Sequence, residues 1–178
     1  MFTEQILKSI LSLKTFSASS RAHTPALEGI HISVNAESNT ITALATDRYA
    51  AARMVITVPE VAGTSWERNV SIATLNAALA TVKASGGSVE VFPEVFMPEF
   101  PVRVEGIIDT YVNADDSKDH GSFNAKYLGA LAKINVGGDK SGRWAIRTIT
   151  HNSRPGLVAM ATYESYETTV VVMPLVGR

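Results

Sequence analysis

Asp115, Asp116, Asp119 and His120 stand close enough in this sequence to suggest a cation site. The alternation Asp115-Ser117-Asp119 imitates the start of a calcium loop, in which hard carboxylate oxygens recur at every second residue. The glycine that should turn such a loop is replaced by His120, and Lys126 occupies the place of the closing bidentate acid. A solvated acidic linker fits these residues better, so no metal is expected. The four histidines, His23, His31, His120 and His151, show no ligand spacing, and none accompanies a Gly-x-Ser-x-Gly nucleophile turn. The chain has no cysteine, which excludes a disulfide framework, thiolate metal sites and a thiol nucleophile. Gly86-Gly87 and Gly137-Gly138 follow helical segments instead of linking a strand to a helix, so they read as caps and not as phosphate loops. No catalytic constellation emerges. The expectation is a protein that is not an enzyme and needs no cofactor.

What remains is binding chemistry. Lys8 and Lys14 accompany the first helical segment, Lys83 the second, and Lys126 and Lys133 share one face of the third. None of these helices carries an acid on its outer face beyond its first turn. The acids stand mostly in strands, turns and linkers, among them Glu28, Asp47, Glu90, Glu105, Asp109 and Glu164. With a net charge of −1, bulk charge gives no help to nucleic-acid binding, which would need basic residues gathered on one face. The lysine distribution suits a helical face that holds phosphates. It also suits an ordinary solvated helix surface.

Periodicity predicts the elements that would position these groups. Glu4 to Lys14 reads as a helix, with Ile6, Leu7, Ile10 and Leu11 at helical spacing and Thr3 as N-cap. Strands follow at Leu27–Val34, Thr40–Ala45 and Arg48–Val58, the first two joined by a polar turn. A short strand, Asn69–Ile72, leads to a helix over Ala73–Ala84, and further strands are expected at Ser88–Phe92, Val102–Glu105 and Ile107–Val112. After a polar linker come a helix over Phe123–Ile134 and strands at Arg143–Thr150, Leu157–Thr162 and Thr168–Leu175. One helix followed by three strands, three times in steps of about 60 residues, is an internal repeat. Phe92, Phe96, Met97 and Phe100, interrupted by prolines, read as packing residues or an exposed partner-binding edge.

At 178 residues, 46% of them hydrophobic and 19% charged, the chain is long and apolar enough to bury a real core. Its start lacks the basic and apolar regions of a signal peptide, and no apolar run approaches the ~20 residues of a membrane span. Cytoplasmic residence without membrane contact is the expectation.

Several segments resemble one family. Thr169-Val-Val-Val-Met-Pro-Leu175 is similar to the C-terminal strand of the bacterial sliding clamps, the beta subunits of DNA polymerase III. Phe123-Asn-Ala-Lys-Tyr-Leu128 is similar to a helix opening in their last half-domain. Leu27-Glu-Gly-Ile30, followed by Ile41-Thr-Ala-Leu-Ala-Thr-Asp47, resembles a strand-hairpin-strand block of the same family. The resemblance implies an α+β DNA clamp fold of about three half-domain modules: residues 1–59, 67–113 (paired with the first as a clamp domain) and 121–178. It further implies a ring with helices lining the hole, double-stranded DNA held without sequence specificity, and Lys8, Lys14, Lys83, Lys126 and Lys133 facing that DNA.

The same resemblance implies a pocket for a short linear peptide from a polymerase or clamp loader. Its positions here are Thr46, Arg48, Tyr49, Ala50 and Ala51 with Val171, Val172, Met173, Pro174 and Leu175. Aliphatic groups and a deformable methionine suit varied apolar anchors. Two departures are informative. The family reads Gly-His-Arg-Leu where this chain reads Arg48-Tyr-Ala-Ala51, and Val176-Gly-Arg178 extends past the usual end. The implied function is a homo-oligomeric processivity factor in DNA replication, a tetramer if three modules per chain close a twelve-module ring. The alternative is a clamp-fold adaptor or decoy that binds such peptides without forming a ring.

Overall fold

The structure, a computed structural model, describes residues 1–61, 63–90, 92, 97–119, 121–139 and 143–174. Its centre is a seven-stranded antiparallel sheet whose order departs from chain order. Strands β1 (Gly29–Asn35), β2 (Thr40–Thr46) and β3 (Ala50–Thr57) form a meander, as do β5 (Ala145–His151), β6 (Arg154–Tyr163) and β7 (Tyr166–Val172). β4 (Trp66–Ser71) pairs with β1, and the full order is β4-β1-β2-β3-β7-β6-β5. The two meanders join through β3 and β7, from Ala50 opposite Val172 to Ile56 opposite Tyr166.

Each meander follows a helix on the same face of the sheet. Helix α1 (Glu4–Ser12) precedes the first, and its Thr3 cap accepts from the Ile6 amide at 3.4 Å. Helix α2 (Ile72–Ser85) lies against α1; it starts at Ser71, whose hydroxyl accepts from the Thr74 amide, and stops at Gly86, φ 67°. A left-handed residue ends a helix at least cost when it is glycine. Helix α4 (Ala125–Leu131) precedes the second meander, with Asn124 as its cap. Leu7, Ile10, Leu75, Val82, Tyr127 and Leu131 bury against Ile32, Ala43, Met54, Ala159 and Val170 beneath them.

Strand residues alternate between faces, and the other face carries a smaller core. There Leu44, Ala51, Val158 and Val171 meet Val104, Ile108 and Tyr111 of a further helix, α3 (Arg103–Val112). This corrects the expected strands at Val102–Glu105 and Ile107–Val112. The segment's β-branched residues favour strand locally, but its buried residues recur at helical spacing and the packing settles the conformation. Ser88–Phe92 also fails as a strand: Val89 makes only an isolated bridge to Phe2, and Val91 lies outside the described residues. The sequence of one helix followed by three strands therefore holds in the first and last thirds of the chain, while the described residues of the middle third form one strand and two helices.

The acidic linker has a structural role. Arg147 donates to the Val112 and Ala114 carbonyls and to Asp116 at 2.8 Å, and the Ser117 amide bonds the Thr148 carbonyl. Residues 114–117 are thus fastened along the edge strand β5. Among the described residues no group of three metal-ligating side chains converges, and His120 lies outside them. Phe92 and Phe100 are buried and Met97 is half-buried, which matches packing; Phe96 lies outside the described residues.

Candidate peptide pocket and basic helical layer

The turn between β2 and β3 is built by its own side chains. The Thr46 hydroxyl donates to the Ala50 carbonyl at 2.8 Å and accepts from the Arg48 amide at 3.1 Å. One carboxylate oxygen of Asp47 accepts from the amides of Tyr49 and Ala50, each at 3.1 Å. Its other oxygen accepts from the Tyr127 hydroxyl at 2.7 Å and pairs with Lys126 at 3.1 Å. The Asp47 side chain is only 10% exposed, so four donors surround a nearly buried charge. Such a charge is tolerated because its oxygens are fully engaged. Burial and the Asp47 carboxylate together push the Tyr127 hydroxyl far above the ordinary phenol range. The Met173 amide bonds the Tyr49 carbonyl at 2.9 Å and draws the C-terminal segment along the turn.

Beside this turn, on the α3 face, lies an apolar cavity of about 210 Å³. Thr46, Arg48, Ala50, Ala51, Val171 and Met173 line it, six of the positions expected from the sequence. Tyr49 is 65% exposed and does not line it, nor does Pro174. Val172 points to the opposite face, into the core beneath α1 and α4. Within β7 that division follows from strand period two, Val171 packing on the α3 face and Val172 on the other. Leu175 lies outside the described residues. The remaining lining comes from Leu27, Pro101, Arg103, Val104 and Ile107. Most of these belong to α3 and its approach. Reading that segment as strands concealed them, although Val104, Ile108 and Tyr111 carry the helical signal.

The five lysines all belong to the layer of α1, α2 and α4. Lys8, Lys14, Lys83, Lys126 and Lys133 are exposed. Lys8 pairs with Glu4 at 2.7 Å and Lys126 with Asp47; Lys126 also stands 4.9 Å from the centre of the Tyr127 ring. The Lys8 hydrogen bond, helped by the charge of Lys83, holds the Glu4 carboxyl below its usual range. Lys83 therefore acts on the same patch as α1. On the opposite face, α3 exposes Glu105 and Asp109, which meet Arg53 at 3.8 and 2.6 Å. The lysine-bearing layer and the acid-bearing helix are thus separated by the sheet.

A larger hollow of about 700 Å³ lies between β4 and the approach to α3. In it His31 stacks on Phe100, ring centres 5.2 Å apart, and sits 3.9 Å from Glu67.

No protein-family model matches the chain, and no curated protein matches it. Solved structures do. The DNA polymerase III beta subunit of Pseudomonas aeruginosa aligns over 98% of this chain and 65% of its own, with 14% identity and TM-score 0.63. The beta subunit of Thermotoga maritima aligns over 99% and 64%, with 11% identity and TM-score 0.60. That of Streptococcus pneumoniae aligns over 99% and 64%, with 12% identity and TM-score 0.61. The chain thus spans about two thirds of the length of each matched structure. No helix among the described residues is long and apolar enough to cross a membrane. At these identities the likeness is one of architecture, and it agrees with the expected α+β class: the chain has the fold of the bacterial DNA sliding clamps.

Proposed function

We propose that the protein is a sliding-clamp-like processivity factor of DNA replication rather than an enzyme. Its helical layer would hold duplex DNA through phosphates, without reading sequence. Its cavity would take a short peptide from a polymerase or from the loader that places it on DNA. The observation that carries this reading is the coincidence of cavity and sequence: the turn after Ala45-Thr-Asp47 and the C-terminal segment that carries Val171 and Met173 meet around one apolar hollow. The contrast between the two faces supports it. Elements α1, α2 and α4, with the turns that follow them, carry five lysines against the single acid Glu4, a balance that attracts a polyanion even in a chain of net charge −1. The three-module division belongs to this proposal, as do a homo-oligomeric ring and a cytoplasmic setting.

The test is retention on duplex DNA by the full chain and by a Lys83→Glu, Lys133→Glu variant. Lys126 is left intact because it also supports Asp47. Reversing two phosphate-facing charges should weaken DNA binding by about tenfold or more at low salt and flatten its salt dependence, with the circular dichroism spectrum unchanged. Unchanged DNA retention would remove the DNA channel from the reading. If peptide capture survived at the same time, the clamp-fold adaptor would be the better description.

A further inference from the structure

The rim of the 210 Å³ cavity is charged in a way that its walls are not. Leu27, Val104, Ile107, Val171 and Met173 make the walls apolar, while the charged lining residues are Arg48 and Arg103. Both are exposed, and neither guanidinium forms a hydrogen bond or ion pair among the described residues. The neighbouring carboxylates are directed elsewhere. Asp47 is held by two amides, Lys126 and Tyr127, while Glu105 and Asp109 face Arg53.

Both arginines also stand where local physics disfavours them. Arg48 has φ 79°, a left-handed conformation that glycine or asparagine adopts more cheaply. Arg103 opens α3, where the positive end of the helix dipole repels a cation. Such placements cost stability and point to a use for the side chains outside the fold. The volume narrows that use. It is below the ~300 Å³ at which pockets begin to enclose whole small-molecule ligands, so one or two side chains are what it can accept.

We infer that this pocket is specific for acidic peptides: its occupant is a segment with one large apolar side chain in the cavity and a carboxylate beside it, held by Arg48 and Arg103. The inference rests on the reading of the cavity as a peptide site and adds the chemistry of the partner. A guanidinium fork grips a carboxylate through paired charge-assisted hydrogen bonds, so the acid supplies orientation as well as affinity. The uncharged Ala50 and Ala51 leave that recognition to the rim.

The experiment is fluorescence anisotropy with the full chain and short dye-labelled peptides. Each peptide carries one leucine or phenylalanine in an alanine background, flanked by aspartate, asparagine or lysine. The aspartate peptide should bind about tenfold or more tightly than the asparagine peptide at low salt, and high salt should erase the difference. The Arg48→Glu, Arg103→Glu variant should reverse the order and prefer lysine, which a generally weakened fold would not do. Equal binding of aspartate and asparagine peptides, still abolished by Met173→Asp, would overturn the acidic preference and keep the peptide pocket. Failure of every peptide to bind, in wild type and Met173→Asp alike, would overturn the pocket reading itself, and this inference with it.

Discussion

Asp47 shows how a single side chain ties two distant parts of this chain together. The Ala-Thr-Asp run was legible in the sequence as the end of a strand, but the aspartate's partners were not. Tyr127 and Lys126 lie in the last third of the chain, and only the folded sheet brings them to the turn. Lys126 accordingly has a second task beside any contact with DNA. His31 carries a different residue-scale consequence. Burial against Phe100 lowers its pKa below the usual 6.5, and the opposing charges of Glu67 and Glu105 do not overcome this. The folded protein therefore binds this proton less readily than the unfolded chain. The stability due to neutral His31 is present above the ordinary histidine pKa and is lost as pH falls through it toward the lower folded value. Denaturant midpoints should drop as pH falls through the ordinary histidine range, and His31→Gln should flatten that slope. An identical slope in both proteins would assign it to other groups.

Among the elements, α3 is where local sequence and packing disagree. Arg103-Val-Glu-Gly-Ile-Ile-Asp-Thr-Tyr-Val112 contains four β-branched aliphatic side chains and a mid-helix glycine, which argue against a helix. Burial of Val104, Ile108 and Tyr111 on the sheet outweighs that preference. The outer helices were easier to read because breaks agree with period: Thr3 starts α1 and Gly86 ends α2, whereas the caps Ser71 and Asn124 were hidden inside an expected strand and an expected helix. Ile108 is fully buried at the middle of the α3 contact. Ile108→Ala should cost about 2–4 kcal/mol in urea denaturation and weaken peptide capture, because Val104 and Ile107 wall the cavity. A loss well under 1 kcal/mol would mean that α3 is not firmly seated.

For the whole molecule, the helix-and-meander units were legible in the first and last thirds, but their union was not. Periodicity identifies strands and says nothing about which distant strand each one pairs with. The sheet order β1-β2-β3-β7-β6-β5 relates the two meanders by an approximate twofold, with α1 and α4 in corresponding positions. Assembly beyond the single chain follows from the proposed function. Light scattering over a range of concentrations should give a stable homo-oligomer, of four chains if each third serves as one clamp module. A monomer at every concentration would move the protein toward the adaptor role.

The β3–β7 ladder also governs how the molecule comes into being. β3 finds β2 through a tight turn, but its other neighbour is distant in sequence, with Ala50 meeting Val172. During synthesis, β3 must wait with an open hydrogen-bonding edge and with Met54 and Ile56 incompletely covered until β7 has been made. Long-range pairing of this kind slows folding, and an exposed apolar edge invites pairing with other nascent chains. The strand at the centre of the finished sheet is therefore the one most in need of protection while the sheet is being built.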